Sequence, residues 1–172
     1  MTSSFFKKTN NGYSLIEMII YVALLSAISL LVVSTIVSFT KSYRTLVALR
    51  VLDHSAISAM ERMTRDIRGA TNIDISQSVF GLTNGVLTIV TTSNGIGTTT
   101  KFYLDNGAVK IDVNGIYFGP LTPSNASITA LAFTKLDSGI GNAVKIDMTV
   151  SATVGFVTKI KIYHSTVILK GK

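Results

Sequence analysis

The stretch Gly12-Tyr13-Ser14-Leu15-Ile16-Glu17-Met18-Ile19-Ile20 separates a short basic leader from everything that follows. From Leu15 to Phe39 the residues are almost all apolar, with scattered Ser and Thr but without Pro or Gly. A bilayer core needs about 20 such residues at 1.5 Å each, so the run is long enough to cross one. It carries one charge, Glu17. An acid in lipid costs roughly 2.5–3.5 kcal/mol, so its position demands a reason. One reason is local: Ser14 and Glu17 form a capping box, in which each side chain reaches the other's backbone N–H.

Toward the N terminus, Met1–Gly12 holds Lys7 and Lys8, a positive tail of the signal type. Ala27-Ile28-Ser29 is a passable small-x-small cleavage site. The apolar run is longer than the about 7–15 residues of an ordinary signal core, however, and continues helically past that site. Lys7 and Lys8 on one flank face Lys41, Arg44 and Arg50 on the other, so positive charge alone does not set the orientation.

Toward the C terminus the helical pattern outlasts the apolar run. Leu46, Leu49, Leu52, Ala56, Met60, Met63 and Ile67 recur on one helical face. Arg50, Asp53, Glu61, Arg62, Arg65 and Asp66 fall mostly off it, and Glu61–Arg65 and Arg62–Asp66 are i,i+4 pairs. Gly69 after Arg68 is a natural stop. One helix is therefore predicted from Ser14 to Arg68. Its first half is apolar all round and its second half is amphipathic, needing a domain to lie against.

That domain begins near residue 70, where the period changes to two. Val109, Ile111 and Val113 alternate with polar residues, as do Val144, Ile146 and Met148. Ile160 and Ile162 alternate with Lys159 and Lys161. Turn signals stand at Asn84-Gly85, Asn94-Gly95, Asp105-Asn106-Gly107 and Asn114-Gly115. Strands are predicted near 86–92, 99–104, 108–113, 127–135, 143–150 and 158–168. The alternation implies an antiparallel sheet with one covered face, and the stripe from Leu46 to Ile67 is the simplest cover. The expected class is α+β, a long N-terminal helix packed on an antiparallel β-sheet domain. Its parts are a leader (1–12), a membrane helix (13–40), its amphipathic continuation (41–69) and a β-rich domain (70–172).

Composition narrows the function. A chain of 172 residues accommodates one anchor and one modest domain. Without Cys it has no disulfide, and with two His and no Cys it lacks the means for a zinc site of the usual kind. The net charge of +7 is spread along the chain and points only weakly to an acidic partner.

A basic leader ending in Gly12, then the aromatic Tyr13, then Ser14-Leu15-Ile16-Glu17 opening an apolar helix, resembles the type IV pilin and pseudopilin superfamily. The likeness covers residues 7–40 closely. It implies that a prepilin peptidase cuts between Gly12 and Tyr13 and methylates the new amine of Tyr13. It further implies that Glu17 pairs with the Tyr13 amine of a neighbouring subunit as helices pack into a filament. The freed amine has a reference pKa of about 7.7–8.0, so it is cationic for much of the time. The segment Ala59–Arg68 also looks like minor pseudopilins of the type II secretion kind.

There are departures. Tyr13 stands where Phe is usual, and Ser34 and Ser26 stand near where many major pilins carry Pro and Gly. The C-terminal Cys pair of many pilins is missing. Tyr13 keeps the ring, while the missing Pro and Gly leave the helix intact through the membrane and favour a minor subunit. The resemblance implies a single-pass inner-membrane precursor with its C-terminal domain outside the cytoplasm, later part of a periplasmic or extracellular filament. Its partners are other subunits, the peptidase and a membrane assembly platform. No cofactor and no catalysis are expected.

Other residues have bland readings beside sharper ones. His54 beside Asp53 reads as a solvated or packed side chain, and His164 as surface. Met60 and Met63 read as core. Asp105, Asp112, Asp137 and Asp147 have no calcium-loop spacing. Lys145, Lys159 and Lys161 are candidates for a basic sheet face that touches DNA, with solvated strand residues as the default. Two rivals to the filament subunit follow: a DNA-binding minor pilin of an uptake system, and a signal-anchored surface protein that never polymerises.

Overall fold

The computed structural model describes residues 14–93, 95–137 and 142–169. Helix α1 runs Leu15–Gly69, 55 residues without interruption, its limits one residue from those predicted at each end. The chain falls into two compact units, Met1–Ser42 and Tyr43–Lys172.

In the first unit the apolar part of α1 is exposed on every side, with a mean hydropathy of 2.5 over its most apolar window. It is long and apolar enough to cross a membrane. Its hydroxyls do not spoil this. Ser26 donates to the Val22 carbonyl at 2.8 Å, Ser34 and Thr35 to Leu31 at 2.9 and 2.8 Å, and Thr40 to Ile36 at 2.9 Å. Each of these four hydroxyls is satisfied by its own helix, which is what hydrocarbon requires of a polar group.

In the second unit α1 turns one face inward: Ala48, Leu52, Ser55, Ala56, Ala59, Met63 and Ile67 are buried. The stripe is rotated from the one predicted. Leu46, expected on it, is 66% exposed, and Ala48, Ser55 and Ala59 take its place.

The domain holds two antiparallel sheets rather than one. The first orders β1 (Asn72–Ile73), β2 (Val86–Ser93), β3 (Ile96–Asp105), β4 (Ala108–Val113) and β5 (Ile116–Pro120). The second orders β6 (Ser127–Asp137), β7 (Asn142–Val154) and β8 (Val157–Ile168). Leu87, Ile89, Phe102 and Ile111 from one sheet and Leu131, Phe133, Ile146 and Met148 from the other join the helix face in a single core. The six predicted strands are all present, and the short β1 and the exposed β5 are additional.

The turn signals divide. Asn106 and Gly107 (φ 50° and 72°) close β3–β4, and Asn114 and Gly115 (φ 53° and 78°) close β4–β5. Two successive positive φ values are the signature of a type I′ hairpin. Asn94 lies outside the described residues. Asn84-Gly85 is not a hairpin turn, and neither residue has positive φ. The segment instead runs beside β6, where Gly85 N donates to the Leu131 carbonyl at 2.7 Å and Leu131 N to the Thr83 carbonyl at 2.7 Å. A Cβ at Gly85 would stand 3.0 Å from the Leu131 oxygen and 3.1 Å from Phe133. Glycine is needed there for the close approach that links the two sheets.

On β8 the alternation is as predicted but the apolar face is reversed. Ile160 and Ile162 point outward, 65% and 57% exposed. Val157, Val167 and Leu169 are buried and set the inward phase, and with a period of two Lys161 and Tyr163 must face inward too.

Candidate functional site

Glu17 lies in the first turn of α1, where a negative side chain suits the positive helix end. Ser14 directly precedes the helix, and its carbonyl accepts from Met18 N at 3.2 Å. The Glu17 carboxylate does not reach back to Ser14 as the capping box predicted. It turns the other way and accepts a hydrogen bond from the Tyr21 hydroxyl, Oη to Oε1 2.8 Å. Around the pair, Ile16, Met18, Ile20 and Leu24 are exposed apolar side chains. Among the described residues the arrangement is an acid held by one neutral donor, Tyr21, on a greasy surface. A carboxylate has about four acceptor positions, so one phenol leaves room for an ammonium group. Gly12 and Tyr13, the expected cleavage and methylation positions, lie outside the described residues.

Sequence reasoning missed Tyr21. In an apolar run a tyrosine reads as one more greasy residue, yet a hydroxyl four positions after an acid is one helical turn away. That spacing was the available signal.

The other candidates have ordinary partners. Asp53 accepts from Lys161 Nζ at 2.7 Å and from the Tyr163 hydroxyl at 2.6 Å, tying α1 to β8. The Lys161 bond, with that of Tyr163, holds the Asp53 carboxyl below its usual range. Burial, reinforced by the Asp53 carboxylate, pushes the Tyr163 hydroxyl well above its usual value. His54 is exposed. His164 is exposed and hydrogen-bonds Asp147, which Lys145 also meets at 3.0 Å. Asp105 pairs with Lys110, and Asp112 accepts from Tyr103 at 3.0 Å. The side chain of Asp137 lies outside the described residues. Among the described residues no three His, Cys, Asp or Glu side chains gather as a metal site.

The three lysines proposed for a basic sheet face do not share one. Lys145 is paired in register with Thr166, while Lys159 and Lys161 are at odd positions of β8 and face the other way. Two of the three are also ion-paired, Lys145 with Asp147 and Lys161 with Asp53.

Compared with protein-family models, curated proteins and solved structures, the chain finds no match.

Proposed function

We propose that the chain is a prepilin-like structural subunit, cut after Gly12 and assembled through its N-terminal helix into a type IV pilus or a type II secretion pseudopilus. Within such a filament it serves as a minor subunit. The precursor spans the inner membrane once with its β-rich domain outside the cytoplasm. The observation that carries this reading is the Glu17 carboxylate, half-buried on an apolar helix and, among the described residues, held by one neutral donor, Tyr21. In lipid a partly satisfied acid gains from any ammonium group in reach, and a neighbour's processed N terminus is one. Charge selects the partner and register while the apolar surface supplies the packing.

The test is Glu17→Gln, which keeps a side chain of the same length and capping ability at the helix start and removes the charge. Co-isolation of tagged and untagged copies from membranes should fall at least tenfold, with the precursor still processed. Unchanged co-assembly would contradict the pairing and leave Glu17 as a helix-end residue.

A further inference from the structure

The apolar stretch of α1 ends at Phe39, and the helix then carries Lys41, Tyr43, Arg44, Leu46 and Arg50 before its next acid, Asp53. Residues 148–169 likewise hold Lys159 and Lys161 and no acid. The fold brings these segments together at the β7–β8 turn. Its tip is Gly155-Phe156, with Gly155 at φ 62°. The Arg44 guanidinium lies 4.4 Å from the centroid of the Phe156 ring. A Cβ at Gly155 would run into that guanidinium, so the tip is seated on Arg44. Phe156 is still 67% exposed, and Tyr43, Leu46 and Ile160 are exposed as well.

We infer that the Gly155–Phe156 tip is a second membrane contact, with Phe156 at headgroup level and Arg44 and Lys159 meeting anionic lipid phosphates. The inference rests on α1 crossing a bilayer and does not require a filament. Arg44 follows Phe39 by five residues, so the chain itself tethers Arg44 close to the end of the apolar stretch. The headgroup layer beyond the hydrocarbon is about 5–8 Å deep on each side. Arg44 is thus held within reach of that layer, and the tip is seated on Arg44. Both components suit that layer: an aromatic ring settles at the interface, and each cation near an anionic surface strengthens binding roughly fivefold. One sign of charge on both segments is the complement of anionic phosphate. A tight turn with a bare phenylalanine gains nothing from water.

The chain has no Trp, so Phe156→Trp introduces a single indole, excited selectively over the tyrosines, and keeps an aromatic face under Arg44. The full chain is reconstituted in vesicles of phosphatidylcholine alone or mixed with phosphatidylglycerol, brominated near the top of the acyl chains. Emission is expected to be blue-shifted and quenched in the mixed vesicles. Arg44→Gln in that background should cut the ratio of quenched to unquenched protein roughly fivefold. In the unaltered chain, amide exchange at Gly155–Thr158 should slow at least fivefold when phosphatidylglycerol is present. Water-like, unquenched emission in both vesicles with unchanged exchange overturns the contact. Quenching indifferent to phosphatidylglycerol overturns the anionic partner. Failure of the chain to float with vesicles removes the bilayer reading and this inference together, whereas flotation without quenching removes the inference alone.

Discussion

The two parts of α1, Leu15–Ser42 and Tyr43–Gly69, share one backbone and differ in where their apolar side chains fall. In the first part they surround the helix, none is buried, and every Ser or Thr bond described there returns to the helix's own carbonyls. In the second, Ala48, Leu52, Ala56, Ala59, Met63 and Ile67 form one buried face, while Leu46 and Ile57 stay exposed off it. The count of apolar residues decides which solvent a helix suits. Their period decides whether it has a protein partner.

The difference is sharpest for leucines. Leu52 is fully buried and Leu31 exposed. Leu52→Ala should cost about 2–5 kcal/mol of domain stability, read from the thermal midpoint of the full chain in detergent. Leu31→Ala should leave that midpoint within about 0.5 kcal/mol. Equal effects would erase the distinction between the two parts.

A smaller effect is expected at Tyr21. Removing a donor from a charged acceptor costs about 1.5–3 kcal/mol, and Phe is otherwise the more apolar residue. Tyr21→Phe should therefore lower the membrane-spanning fraction with Glu17 present and leave it equal or higher in a Glu17→Leu background. A rise in both backgrounds would mean that the hydroxyl gives Glu17 nothing.

The smallest effect belongs to the tie between α1 and β8. Asp53 has a lowered carboxyl pKa, so its pairing with Lys161 and Tyr163 stabilises the fold fully above about pH 4, the unfolded value, and fades below it. The pair is largely solvated, and its worth is up to about 1 kcal/mol. Asp53→Asn should flatten the acid limb of the stability profile by no more than that. An unaltered limb would show that the contact carries no weight in solution.

Much of this was legible from residues alone. Ser14 and Gly69 marked the helix ends to within one residue, though the capping box between Ser14 and Glu17 does not form, and alternation marked six strands. What remained hidden has a physical cause in each case. Asn106-Gly107 and Asn84-Gly85 are the same dipeptide, but only the first sits between two strands long enough to pair. The second meets β6, a partner more than forty residues on, which local sequence does not announce. On β8 both phases offer apolar residues, Ile160 and Ile162 against Val157 and Val167, and packing chooses between them. Leu46 extends the stripe by spacing, yet the buried face is centred elsewhere. At the candidate site Glu17 was conspicuous as the sole charge among greasy residues. Tyr21 was hidden by being apolar enough to fit.

The most direct test of the central claim, that the apolar helix is a processed assembly element, is mass spectrometry of the mature N terminus. A chain that begins at N-methylated Tyr13 is the predicted result. Mature protein from cells that retains Met1–Gly12 would contradict it.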